Sequence, residues 1–190
     1  MKNLGYINAE GGPLIIMSSD IAPYWTGAQD EGKDYYRACE FFDKNGEAEG
    51  APINVHNGSA LLWEMGGPGT ANAFLDDQNN LIVIRTWLNE DYLEADISHF
   101  AYLEKNNPIG LGEIELTSDV CVVMWATEKI DSKKIGGFEK DKKAPTTYSL
   151  PISDDHLGIV LSLKKGTYTC FHDFVESPWG QARRCHIIKK

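Results

Sequence analysis

No apolar run in this 190-residue chain approaches the ~18 residues that a membrane-crossing helix needs. Residues 1–5 lack the apolar core of a secretory signal, so the expected compartment is the cytoplasm. Cys-x-x-Cys spacing is also missing. Cys39, Cys121, Cys170 and Cys185 stand apart and read as reduced thiols, mostly buried as small hydrophobes. The glycines Gly66, Gly67 and Gly69 have no Walker lysine and no Gly-x-Gly-x-x-Gly frame, which argues against a phosphate cradle. Ser18, Ser19 and Ser59 lie outside any Gly-x-Ser-x-Gly frame.

Basic residues are scarce where acids are many. The chain carries 18 Lys and Arg against 28 Asp and Glu, a formal net charge of −10. Residues 1–104 hold 17 acids and 5 bases; residues 105–190 hold 11 acids and 13 bases. The negative field therefore sits in the first half. Such a field repels nucleic acid and speeds encounter with a basic protein. The isolated pairs Lys133-Lys134, Lys142-Lys143 and Lys189-Lys190 do not amount to a nucleic-acid face.

What is present reads mainly as β-structure. Tyr6-Ile7 and the apolar run Leu14, Ile15, Ile16, Met17 flank Gly11, Gly12 and Pro13, a pattern that predicts a hairpin. Four apolar residues without alternation place the second arm inside a sheet. Ile53–His56 and Ala60–Trp63 flank Asn57-Gly58, a strong hairpin signal. Leu81–Trp87, Leu111–Leu116, Asp119–Thr127, Ile159–Leu163, Thr167–Val175 and Ala182–Ile188 read as further strands, with Ile159–Leu163 and Thr167–Val175 as a hairpin. The last strand is basic enough to suit a sheet edge. Helical spacing is clearest over 90–105, where Leu93, Ile97, Phe100 and Ala101 share a face. Tyr35, Ala38, Cys39 and Phe42 suggest a second helix capped by Asp34; shorter ones are expected after Ser19-Asp20 and over Thr70–Leu75. The fold class is α+β, predominantly antiparallel sheet. It is read as one domain or as two lobes, 1–107 and 108–190, dividing near Pro108.

Cys170, His172, Cys185 and His186 invite a zinc reading. Pairing Val175 with Gln181 across the turn puts Cys185 on the opposite face from the other three, so no single ion collects all four. No metal or cofactor is expected. Asp154, Asp155 and His156 form a candidate acid–base cluster in a loop, and with His172 would serve a ligand-binding or hydrolytic β-domain. Trp179, in a Pro-Trp-Gly turn, is the tryptophan expected to be most exposed.

Several stretches resemble one family. Tyr6-Ile7 followed by Gly11, Gly12, Pro13, Leu14 and Ile15 is similar to the opening of the immunity protein 21 family of bacterial polymorphic toxin systems. Trp25-x-Gly27, then Asp34, Tyr35, Arg37, Ala38 and Cys39, then Ala60–Gly66 with Thr70, and Arg85-x-Trp87 resemble its later motifs in order. So do Leu161-x-Leu163 and Gly166-x-Tyr168 near the end. The Arg85-x-Trp87 strand has one residue more than the family pattern, and the loops 43–50 and 129–143 lie outside it. The resemblance implies a small cytoplasmic antidote that binds a cognate toxin and blocks it without chemistry; it supplies no catalytic residues. If that toxin is basic, the acids in predicted loops of the negative half, Asp30, Glu31, Glu47, Glu49, Asp76 and Asp77, are the expected contacts, with Trp179. Whether Asp34, Arg37 and Arg85 face a partner or form an internal network stays open, since a buried guanidinium needs a carboxylate.

Overall fold

The computed structural model describes residues 1–28, 33–46, 48–92, 96–131, 133, 135, 148–151 and 156–190. Two six-stranded antiparallel sheets stack face to face. The first runs in the order β1 (Lys2–Ala9), β5 (Gly69–Leu75), β6 (Leu81–Leu88), β12 (Gly180–Lys189), β11 (Gly166–Ser177), β7 (Ile109–Leu116). The second runs β3 (Gly50–Val55), β4 (Gly58–Trp63), β2 (Leu14–Ser18), β8 (Val120–Trp125), β10 (Leu157–Ser162), β9 (Tyr148–Pro151). Each sheet takes strands from both sides of residue 107. The fold is α+β, as the sequence indicates.

Alternation sets the layers. Ile7, Ala71, Ala73, Leu81, Val83, Cys185 and Ile187 of the first sheet meet Leu14, Ile16, Leu61, Trp63, Val123 and Leu161 of the second. The residues between these point outward. In β2 both sets are buried, as its unbroken apolar run predicts, because helix α1 (Lys33–Asn45) lays Tyr35, Ala38 and Phe42 over Ile15 and Met17. A five-residue helix α2 (Ser98–Tyr102) covers Phe74, Ile82 and Ile84 on the first sheet with Phe100 and Ala101. Burying a large apolar side chain contributes about 1.5–3 kcal/mol, so these three clusters carry most of the fold.

Side chains join the sheets at their edges. The Leu157 amide donates to Asn8 Oδ1 at 2.6 Å, tying β10 to β1, and the Glu115 amide donates to Ser59 Oγ at 3.0 Å, tying β7 to β4. The Glu115 amide, on edge strand β7, is thereby kept from inviting another strand.

Several expectations are corrected. The glycine turn at 11–12 does not close a hairpin: β1 pairs with β5 and β2 with β4 and β8, so Gly11, Gly12 and Pro13 carry the chain from one sheet to the other. Likewise β10 and β11 belong to different sheets. Thr70–Leu75 is strand, because Ala71 and Ala73 are small enough for the inter-sheet core while Phe74 fills the outer face. The periodic stretch 90–105 is broken into a 3-10 turn at Glu90–Tyr92 and α2, with residues 93–95 outside the described set; the long helix is α1 instead. Strand β12 is internal, between β6 and β11. Its register pairs Val175 with Ala182 and His172 with Cys185, one residue from the expected pairing, so His186, not Cys185, faces away from the other three.

Candidate functional site

The glycine crossing, the turn at 64–66 and Arg85-x-Trp87, far apart along the chain, converge at one end of the sandwich, while Leu161-x-Leu163 and Gly166-x-Tyr168 lie at the other. The β1–β2 crossing, the β4–β5 loop and the ends of β6, β11 and β12 meet there. The Gly11 carbonyl accepts from Trp125 Nε1, and the Pro13 carbonyl accepts from the Ala126 amide at 3.0 Å. Gly12 has φ +77°, and a Cβ there would lie 2.8 Å from the Tyr35 hydroxyl, so only glycine suits both the turn and the neighbour. The Tyr35 phenol is pushed up to about 12 by burial and by its hydrogen bond with Cys39.

Arg85 and Arg183 face each other across β6 and β12. Like charges directly opposite repel, and the structure separates them by giving each its own partners. Arg85 donates to the carbonyls of Pro68 at 2.7 Å and Thr70 at 3.1 Å and lies 5.1 Å from the Trp87 ring centroid. A Cβ on Gly69 would lie 2.1 Å from its Nη1. Burial alone pulls the Arg85 pKa down, and among the described residues its ligands are carbonyls where a carboxylate was the expected partner. Arg183 instead holds Glu49 at 2.6 Å and reaches the Glu64 carbonyl at 3.5 Å. Glu64 folds back onto its own turn, its carboxylate accepting from the Gly66 amide at 2.8 Å.

Behind Glu49 lies His172, 3% exposed, whose Nδ1 accepts from Trp63 Nε1 at 3.1 Å. That bond places any ring proton on Nε2, 3.8 Å from Glu49. Burial, with the charge of Arg183, lowers its pKa to about 4, so the ring is neutral at physiological pH. His156 Nδ1 lies 2.9 Å from the Glu128 carboxylate, which accepts there, with Trp125 edge-on at 4.7 Å. Asp154 and Asp155 lie outside the described residues.

The acids and the tryptophan singled out from sequence do not all share a surface. Asp30, Glu31 and Glu47 fall outside the described residues. Glu49 and Trp179 belong to this end. Asp76 and Asp77 sit at the β5–β6 turn, the opposite end of the first sheet; Asp76 closes that turn through the Asn80 amide at 2.8 Å, and Asp77 is exposed. Trp179 is half-buried, its ring 4.1 Å from His99. Asp34 caps the Thr26 amide and hydroxyl at 2.9 and 2.8 Å and pairs with Arg37, which reaches the Asn54 carbonyl. Cys39 is half-buried on α1.

A network that sequence reading missed lies on the outer face of the first sheet. Arg184, fully buried, directs all five N–H groups to acceptors: Nε and Nη2 to Asp173 at 2.8 and 2.5 Å, and the rest to the carbonyls of Phe100, Leu103 and Glu104 at the end of α2. His186 Nε2 adds a contact to Asp173 at 3.2 Å. Burial pushes the Asp173 carboxyl up, but hydrogen bonds from His186 and Arg184 and the Arg184 charge outweigh it and hold the group well below the usual carboxylate range. The available signal was symmetry: Asp173 and Arg184 are equidistant from the Pro178-Trp179 turn and pair directly.

Among the described residues no three His, Cys, Asp or Glu side chains are placed to hold a metal ion, and no helix is long and apolar enough to cross a membrane. The end of the sandwich is a surface of half-buried tryptophans and mostly engaged charges. Such a surface is suited to contact with another macromolecule, since tryptophan and arginine anchors dominate binding energy. The chain belongs to the immunity protein 21 family: the model of the family described as Immunity protein 21 matches residues 5–105. The matched stretch runs from β1 through α2 and includes the glycine crossing, α1 and the Arg85 strand. No curated protein and no solved structure matches the chain.

Proposed function

We propose that this protein neutralises a cognate toxin domain by binding it, without catalysis, in the cytoplasm. The observation that carries the reading is its membership of the immunity protein 21 family. The geometry supports it. Motif residues from four elements build one end of the sandwich, where Trp87, Trp125 and Trp179 are half-buried and Glu10, Glu90, Asp91 and Glu176 are exposed. An exposed acidic fringe around aromatic anchors favours a basic toxin, because charge complementarity speeds encounter while the anchors hold the complex. We read the whole chain as one binding unit, since both sheets take strands from either side of residue 107.

The test is co-expression of this chain with the product of the adjacent reading frame. Rescue of growth and recovery of a stoichiometric complex support the reading. A toxin that remains active, with no complex formed, contradicts it. The ligand-binding alternative would rest on the His156–Glu128 pair, since His172 is committed to Trp63.

A further inference from the structure

We infer that a depression at the end of the first sheet receives a basic side chain of the partner, arginine above lysine; this rests on the toxin-binding reading. The depression has a volume of about 350 Å³. Its wall is a row of three side chains in register across three strands: Trp87 on β6 faces Gln181 on β12, which faces Glu176 on β11. Gly180 lets these strands close tightly, since a Cβ there would lie 2.2 Å from the Trp87 carbonyl oxygen. Asn89 completes the lining.

Hydrogen-bond bookkeeping shows which chemistry fits. Gln181 spends an Nε2 proton on Glu176 Oε1 at 3.0 Å, and Asn89 spends an Nδ2 proton on the Pro178 carbonyl at 3.0 Å. Each amide keeps its oxygen and one N–H, and the exposed Glu176 keeps its second oxygen, so the charge offered to a ligand is the negative one of Glu176. The amides serve donors and acceptors alike, and the Glu176 carboxylate tips the lining toward a cationic donor. Three acceptors spread around a wide opening match the guanidinium fork better than the compact ammonium of lysine. Exposed Glu90 and Asp91, directly after Asn89, add to the negative field. The two nearby cations do not oppose it fully: Arg183 is paired with Glu49, and Arg85 turns to the Pro68 and Thr70 carbonyls.

The experiment uses the full chain and small probes, so it does not depend on any toxin. Side-chain amide and indole signals are followed by NMR during titration with N-acetyl-arginine amide, then with the lysine, glutamine and glutamate counterparts. The inference predicts saturable shifts at Trp87 Nε1, Gln181 Nε2 and Asn89 Nδ2 with the arginine probe, weaker ones with lysine, and none with glutamine. Glu176→Gln, on an exposed residue, should weaken the arginine probe about threefold or more, the scale of an exposed ion pair. Absence of saturable shifts, equal response to Glu176→Gln, or preference for the glutamate probe would overturn it. Arginine binding here without any complex with the adjacent gene product would uphold the pocket and sink the toxin reading. A complex that forms while the probe fails would do the reverse.

Discussion

Replacing Arg184 by methionine should destabilise the protein strongly. The substitution keeps much of the side-chain length and removes the charge. It leaves the Asp173 carboxylate, 0% exposed, without its cation, and strips donors from the carbonyls of Phe100, Leu103 and Glu104 that end α2. Breaking one partner of a buried pair costs about 3–5 kcal/mol, because the remaining charge stays buried. A domain of this size has only about 5–15 kcal/mol in hand. With about 2–4 °C lost per kcal/mol at this chain length, the melting temperature should fall by about 6–20 °C. The double variant Asp173→Leu with Arg184→Met removes the stranded charge and should recover part of the loss, though not the carbonyl contacts. Urea unfolding followed by tryptophan fluorescence measures both. A loss below about 1 kcal/mol for the single variant, or no recovery in the double, would refute the buried-charge argument, since surface changes away from such features usually stay within about 0.5 kcal/mol.

Other consequences follow from the same structure. Asp173 is held below its unfolded pKa, so its contribution is present above about pH 4 and is lost as pH falls below that. His172 has a folded pKa of about 4 against 6.5 unfolded, so the unfolded chain binds more protons and stability should drop as pH falls from 6.5 to 4. His172→Asn, whose amide oxygen can still accept from Trp63, should flatten that window in urea titrations at stepped pH; an unchanged slope would remove His172 as the cause. Gly69→Ala should displace the Arg85 guanidinium and hold a β-carbon at φ +143°, a strain of about 1–3 kcal/mol; no change in the urea midpoint would contradict the crowding. A thiol reagent should label Cys39 first, because Cys121 and Cys170 are buried with thiols pushed up to about 12 and Cys185 is raised as well. Rapid labelling of all four in the folded protein would contradict the burial.

The strands were legible because their local chemistry is strong. The runs at Leu14–Met17 and Leu81–Trp87 and the Asn57-Gly58 turn read the same way in isolation and in the fold. Sheet membership was not legible. A Gly-Gly-Pro link permits either a hairpin or a crossing between sheets, and only the partners of β1 and β2 decide which. Thr70–Leu75 misleads because alanine favours helices locally, whereas here its small size is what the inter-sheet core requires. The basic character of the last strand suggested an edge; Arg184 is instead buried, because Asp173 on the neighbouring strand and the end of α2 supply its acceptors. At the candidate site, Glu49 and the Arg85–Trp87 motif were visible as residues, but their meeting with Arg183 and the glycine crossing depends on pairing across the whole chain.

The central claim is tested most directly by the affinity of the purified chain for the toxin domain encoded beside it, measured by calorimetry for the native protein and for Glu176→Arg. A tight one-to-one complex, weakened by the charge reversal and more salt-sensitive in the native form, is the predicted result. Absence of binding at micromolar concentrations would contradict the account.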